Sequence, residues 1–397
     1  MSRALTRSLA ALAVSVVGAG APPAQAQPST DWIRVAVVRA DPQVQVQVSG
    51  RFTLLARHTN APIHQGKQLP STAVRAVPQG IAWGGEIYQL EGLRIQPERE
   101  ATISLNGKRL RGALEIVRQK NLTLLVVNYV GLEDYLRGVL SKEAPDYWPA
   151  EALNAIAIAA RTYALYQRLT KGGVDYDVTG DVMSQDYGGH SGEKHATTKA
   201  VDATAGLILT YRGALFPTFY HSTCGGRTEH ARVMGDFDLP PLQGGVACGF
   251  CTASPFYRWQ RRLSKADLGW AIKKSKFGSI GAIKDFRVAS RTPSGRAAHV
   301  VIRGANQTLK ITAFDLRSLL GFERIRSPFF TVVPAADSFV LDGRGWGHGV
   351  GMCQWGAAEL ARRGIKAPEI LAFYYPGVQV VKLREIARQP IEVLGGS

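Results

Sequence analysis

A chain of 397 residues can bury a substantial core and form one to three domains. Its 45% hydrophobic and 20% charged content is that of a folded globular protein and excludes a highly charged disordered chain, and no internal segment has the length of a membrane-spanning helix. The formal net charge of +17 favours polyanionic partners, but Lys and Arg are scattered without a basic run or nucleic-acid motif, which argues against nucleic acid and for an anionic cell wall or membrane surface.

The N-terminus reads as an export signal, with Arg3 and Arg7, an apolar run from Leu9 to Val17, and the small-x-small site Ala24-Gln25-Ala26. Residues 1–26 are thus expected to be a signal peptide cleaved after Ala26, leaving a protein exported to the periplasm or cell wall. Residues 27–120 read as an N-terminal β region. Strand text runs from Ile33 to Val38, Val44 to Val48 and Phe52 to Leu55; 58–92 reads as loops and short strands; strands resume at Thr102–Leu105, with a hairpin signal at Asn106-Gly107.

Residues 121–256 form the expected core unit. An extended run from Tyr135 turns at Ser141 to Pro145 and enters a long helix, with Pro149 at its first position and Glu151 in its first turn. Leu153, Ile156, Ala157, Ala160 and Ala164 repeat at helical spacing, and the other faces are mostly Ala and Ile, so the helix should be buried nearly all round. Glu143, just before it and beside Pro145, Tyr147 and Trp148, sits where a carboxyl loses hydration and its pKa rises. Lys171-Gly172-Gly173 ends the helix. A polar loop follows, Ser184-Gln185-Asp186-Tyr187-Gly188-Gly189, offering the hydroxyl, amide and aromatic groups that sugar recognition uses. A helix near 193–205 precedes an expected hairpin, Leu207–Tyr211 with Ala214–Tyr220, which runs into His221-Ser222-Thr223-Cys224-Gly225-Gly226.

Residues 257–335 read as an α+β lobe or insertion, with a helix at Lys265–Lys274, strands near 282–290, 297–302 and 309–312, and a short helix from Phe314. Residues 336–397 complete the core. There glycine fills every second position from 343 to 351; as an extended strand this would present one bare face and one bearing Arg344, Trp346, His348 and Val350. A helix to about Arg363 should stop at Gly364. The fold class expected is α+β, a β-rich core packed on a long buried central helix with an N-terminal β region and an inserted α+β lobe.

Four motifs resemble the stage II sporulation protein D (SpoIID)/LytB family. They are the stretch from Leu132 to Ala164, including Ser141-x-Glu143-x-Pro145 and Ala159-Ala160-Arg161-Thr162; Ser184-Gln185-x-Tyr187; His221 to Gly226; and Asp342 to Ala357, with Gln354. The resemblance spans roughly residues 105 to 380. It implies a peptidoglycan lytic transglycosylase or an amidase enhancer, with Glu143 as the catalytic acid and a preference for glycan strands stripped of stem peptides. Ser141, Arg161, Ser184, Gln185, Tyr187, His221, Arg344, Trp346, His348 and Gln354 are the substrate contacts the motifs nominate. Two positions depart from the pattern: Ala144 stands where Met is usual, and Cys353 where Ser is usual.

Cys224, Cys248, Cys251 and Cys353 admit two readings. An even count in an exported chain suggests two disulfides. The Cys248-x2-Cys251 spacing suggests instead a structural zinc held by four thiolates, with His221 a substitute for one of them. The leading functional expectation is a lytic transglycosylase using Glu143 first as acid and then as base; Asp134, Asp146 and Asp181 are candidates for a second carboxylate should the enzyme be a hydrolase. The alternative is a non-catalytic wall-binding enhancer of an amidase partner. A zinc hydrolase ranks last, because four-thiolate sites are closed.

Overall fold

In the run Gln43–Ser49 every valine is buried and every residue between is exposed. This strand belongs to a six-stranded sheet ordered Lys108–Leu110, Thr102–Leu105, Gln43–Ser49, Leu69–Val77, Gly80–Trp83, Glu86–Tyr88. Asn106 and Gly107 turn the expected hairpin with φ of 48° and 82°. The nine-residue strand Leu69–Val77, longer than expected, lies within the stretch read as loops and short strands; its sequence holds too few large apolar residues to show a period of two. A computed structural model describes residues 31–395 apart from 172–174, 182, 388 and 389. The expected signal peptide and its cleavage site lie outside the described residues.

A second, seven-stranded sheet runs Val178–Thr179, Trp32–Asp41, Leu124–Gly131, Ala113–Arg118, Gly92–Pro97, Phe52–Ala56, Pro62–Gly66. Helix α1 (Leu132–Glu143) follows directly from the strand Leu124–Gly131. This corrects the expected extended run from Tyr135: Leu132, Tyr135, Leu136, Val139 and Leu140 are all buried, a helical spacing. Glu143 is therefore the last residue of a helix. Helix α2 (Ala150–Thr170) begins seven residues later, with Pro149 as its N-cap rather than its first residue. It is buried from Ala152 to Tyr166 save for Asn154, as its Ala-rich faces require. Helix α3 (His195–Ala203) packs on both α1 and α2. The expected hairpin after it is corrected: Leu207–Thr210 pairs with Gln379–Lys382, and Tyr211 and Ala214 close a tight turn without a second strand.

The lobe has its own apolar cluster, including Leu268, Phe286, Val300, Leu316 and Phe339. Two three-stranded sheets build it, one ordered Arg258–Ser264, Ser338–Arg344, Phe330–Pro334 and the other Ile283–Arg291, Ala297–Gly304, Thr308–Thr312. Helices α4 (Lys265–Lys274) and α5 (Ala313–Leu320) are capped by Ser264 and Thr312, whose hydroxyls accept from the amides of Asp267 and Asp315 at 2.9 Å. Helices α6 (Gln354–Arg362) and α7 (Ala367–Tyr374) return to the first core. The architecture is mixed α+β: a β-rich N-terminal region, a helix-flanked centre and an α+β lobe.

The alternating glycines do not form the extended strand expected of them. The strand ends at Arg344, and Gly345, Gly347, Gly349 and Gly351 take φ of 78°, 110°, 90° and 68°. Gly347 shows why glycine is required: its φ is left-handed, and a Cβ there would come within 2.7 Å of the His221 Cβ.

Arg161 is wholly buried in α2. Its Nε and Nη2 donate to Glu133 at 2.8 and 2.7 Å, and its Nη1 donates to the Leu207 carbonyl at 3.0 Å. It ties α2 to α1 and to the chain after α3, and it does not reach the cleft described below, so its expected place among substrate contacts is corrected. Arg161→Leu is expected to destabilise the fold by roughly 2–3 kcal/mol, since it removes the donors of the partly buried Glu133 carboxylate and of the Leu207 and Val201 carbonyls. Urea unfolding of the two proteins checks this, and a change within 1 kcal/mol, or about the effect of an ordinary surface substitution, would contradict it.

Candidate functional site

The end of α1, the turn before α2, the chain around His221 and the glycine-rich loop meet around a cleft of about 630 Å³. A short parallel pairing sets the geometry, with Tyr220 opposite Met352 and His221 opposite Cys353. It puts Tyr220, His221 and Gln354 on the same cleft as Glu143.

Glu143 is half-buried at this cleft. One carboxylate oxygen accepts from the Asp186 amide at 3.2 Å and the other from Gln354 Nε2 at 3.3 Å. Gln354 also donates to the Glu143 carbonyl at 3.1 Å, which fixes the residue at the helix end. Loss of hydration pushes the carboxyl up to about 7, outweighing the donors from Asp186 and Gln354 that favour its charged form. The surroundings are aromatic: Trp148 and Trp355 meet edge to face at 5.3 Å, and Phe256 and Trp346 at 4.2 Å. Tyr147, 74% exposed, stands at the rim.

Two imidazoles line the cleft with their rings 5.6 Å apart. His221 Nδ1 lies 3.0 Å from the Val350 carbonyl, which can only accept, so Nδ1 carries the proton. Nε2 is then a bare lone pair, buried and without a partner among the described residues. His348 is the other tautomer, with Nδ1 accepting from the Val350 amide at 3.0 Å. Burial first, and Arg296 second, lowers His221 to about 3; burial and the neighbouring His221 push His348 well down. Both rings are neutral at pH 7.

Of the expected contacts, Glu143, Ser184, His221, Trp346, His348 and Gln354 line the cleft. Gln185 stands behind it, accepting from the Tyr135 hydroxyl at 3.0 Å and donating to the Tyr220 hydroxyl at 2.9 Å. Tyr187 is buried, donating to Asn128 at 2.9 Å; Ser141 faces Gly192 on α1; and Arg344 lines a separate groove. The suggested second carboxylates are corrected: Asp134 pairs with Arg137, Asp146 with Lys194 at 3.3 Å and Asp181 with Arg39 at 2.8 Å, none of them lining the cleft. The second carboxylate in the cleft is Asp186, which occupied an unspecified place in a loop motif and carried no other signal. Lys142, Tyr163, Phe219 and Tyr220 were likewise missed, because their convergence depends on tertiary packing.

Cys224, Cys248, Cys251 and Cys353 are all buried and unbridged, with their sulfurs within 4.8 Å of one another. Cys224 and Cys251 Sγ are 3.5 Å apart, against about 3.8 Å for the edge of a tetrahedron with 2.3 Å zinc–sulfur bonds. The outer shell also suits thiolates. The Cys224 amide donates to Cys353 Sγ at 3.2 Å, the Gly226 amide to Cys224 Sγ at 3.4 Å, and the Tyr374 hydroxyl lies 3.1 Å from Cys248 Sγ. The residues fit a chelated metal, and His221 is not needed to complete the set.

A family model described as "Stage II sporulation protein" matches residues 120–211, and one described as "Domain of unknown function (DUF8618)" matches 249–351. The chain is 34% identical to an uncharacterized protein of Brachyspira hyodysenteriae, covering 74% of this chain and 77% of that one. It is 31% identical to a protein named "Amidase enhancer" from Bacillus subtilis, covering 72% of this chain but 46% of the relative. It is also 31% identical to "Stage II sporulation protein D" of Bacillus amyloliquefaciens, covering 64% of this chain and 75% of that one.

The carboxyl of Glu143 gives a pH signature in stability. Its folded pKa of about 7 lies above the ordinary 4.5, so between these values the folded chain binds more protons than the unfolded one. Stability from this group is present below pH 4.5 and is lost as pH rises through 7, by at most about 3 kcal/mol. Glu143→Gln removes that dependence. The variant should therefore gain on the wild type between pH 4.5 and pH 8 in chemical denaturation; parallel stability curves would contradict the raised pKa.

Proposed function

This chain belongs to the SpoIID/LytB amidase-enhancer family, and from that premise we propose that it is an exported peptidoglycan lytic transglycosylase. The observation that carries the reading is the Glu143 carboxyl, held close to neutrality in a cleft lined by tryptophans and neutral histidines. At neutral pH such a group is divided between its acid and base forms, as one residue serving in both roles requires. Glu143 would protonate the glycosidic oxygen between N-acetylmuramic acid and N-acetylglucosamine as the bond from C1 breaks. The sugar's own C6 hydroxyl would then bond to C1 and return its proton to Glu143, leaving a 1,6-anhydro end and consuming no water. The aromatic walls offer flat apolar surfaces for sugar rings and limit access of water.

Zinc is the metal that four thiolates suit best, and there it would act as a structural clamp on three segments of chain. No chemical step passes through it. A second reading, a wall-binding enhancer of an amidase, is favoured by the similarity to the Bacillus subtilis amidase enhancer. This chain spans 46% of that relative's length.

Peptide-stripped peptidoglycan treated with wild type should yield anhydro-muramyl ends by mass spectrometry. Glu143→Gln should lower their formation by roughly 10²–10⁴-fold. The rate should fall as pH rises above about 7, because the first step needs the protonated acid. Reducing ends would indicate a hydrolase, with Asp186 as the second carboxylate. No cleavage by either protein, with amidase stimulation by both, would establish the enhancer.

Elemental analysis should find one zinc per chain. Denaturation in a chelator without reductant should then release four titratable thiols. No metal and no free thiols would establish disulfides instead.

A further inference from the structure

Two neighbouring strands of the lobe start and finish at the cleft. Pro255 and Phe256, which line it, precede the strand Arg258–Ser264, and Trp346, which also lines it, follows the strand Ser338–Arg344. Arg258 and Arg344 are cross-strand partners in this pairing. Each is two residues from a cleft aromatic, at most about 7 Å of extended chain. Both arginines line a second groove of about 630 Å³, together with Gln260, Arg291, Phe329 and Asp342.

The groove is cationic, with three guanidinium groups against one carboxylate. Asp342 is engaged by Gln260 Nε2 at 2.9 Å. Arg291 donates to its own surroundings, the Gly295 and Phe330 carbonyls at 2.8 and 3.0 Å. The Arg344 guanidinium lies over the Phe329 ring, 4.2 Å from its centre, a cation–π contact. Neither Arg344 nor Arg258 has an acidic partner among the described residues. A further cation, Arg326, has its guanidinium carbon 5.1 and 5.0 Å from the ring centres of the cleft aromatics Phe256 and Trp346. Arg258 and Arg344, close in the chain to the cleft aromatics, thus keep guanidinium donors that no acidic group of the described residues engages.

We propose that this groove is a carboxylate subsite for the glycan strand that occupies the cleft, reading the free lactyl carboxylate of an N-acetylmuramic acid residue. The proposal rests on the glycan-binding reading given above. The chemistry selects the ligand. In a muramic acid bearing a stem peptide the lactyl acid is an amide and carries no charge at that point. Removing the peptide exposes a carboxylate, which a guanidinium binds in paired, charge-assisted hydrogen bonds. A cationic groove two residues along the chain from the cleft aromatics on both strands therefore favours stripped strands over substituted ones. A neutral sugar polymer would leave these arginines without partners, and a phosphate polymer would have no reason to run on into the aromatic cleft.

The test is binding of the full chain carrying Glu143→Gln, to prevent turnover, to peptide-stripped glycan and to the same glycan with its lactyl acids methyl-esterified. The parent should bind the free acid about ten-fold tighter than the ester. Adding Arg258→Gln and Arg344→Gln should abolish that preference while leaving ester binding in place, and Arg344→Lys alone should keep part of it. Ester binding by the double variant also reports that the cleft remains folded. Equal affinity of the parent for acid and ester overturns the subsite alone. So does a double variant that keeps the preference, or one that loses only poly(glycerol phosphate) binding. No binding of either glycan by the parent overturns the glycan reading and the subsite together.

Discussion

The cleft depends on a pairing of two residues with two. Tyr220 and His221 lie beside Met352 and Cys353, with the whole lobe inserted between them in sequence. So short a ladder cannot by itself offset the entropy of closing so long a loop. The four cysteines supply the missing constraint. Cys224 lies three residues beyond His221, Cys353 is itself in the pairing, and Cys248 and Cys251 join them from the chain that enters the lobe. Bringing the four sulfurs together fixes both sides of the ladder, and through Gln354 it fixes the acid.

That acid is governed by a contest between burial and hydrogen bonding. Donors from Asp186 and Gln354 by themselves lower the Glu143 pKa, and the larger influence, loss of water, raises it to about 7. Neither influence comes from α1 alone. The helix supplies only the position, at its last residue; α6 supplies Gln354, and the loop before α3 supplies Asp186. A carboxyl tuned by three separate elements responds to any movement among them. This explains why the ion pair of the buried Arg161 with the partly exposed Glu133 bears on the site: it holds α1 against α2, and so holds the end of α1 in place.

Sequence reasoning was strongest where period and local chemistry coincide. The Gln–Val alternation, the Asn106-Gly107 turn and the lobe helix at Lys265–Lys274 all stand as expected. Glu143 was legible because its apolar neighbours lie next to it in sequence. Misreadings arose where one residue pattern serves two structures. The stretch from Tyr135 to Leu140 suits a strand or a buried helix, and packing against α2 and α3 decides for the helix. Arg161 sits in a motif, yet a motif does not distinguish a side chain that touches ligand from one that holds helices together. Asp186 could not be singled out, because its role depends on Glu143 being brought to it from 43 residues away.

The alternating glycines show the same ambiguity at its sharpest. Read as a strand, they present a bare face to a ligand. In the structure they let backbone turn where no side chain could, and the space they leave is filled by protein. Gly349 is the informative case: a Cβ there would come within 2.5 Å of the Arg296 guanidinium. Arg296 comes from the lobe, is almost wholly buried, and donates to the Cys224 carbonyl at 2.6 Å. A buried cation with so few partners is costly unless negative charge lies close by. Glu229 supplies some, and the sulfurs of Cys224 and Cys353 supply more if they are thiolates. Four thiolates around one divalent ion would carry a net charge of −2, whereas two disulfides would carry none. The placement of Arg296 therefore favours a metal-bound cluster on electrostatic grounds, independently of sulfur geometry. It also makes the lobe part of the cluster's surroundings, joined to the core by charge as well as by chain.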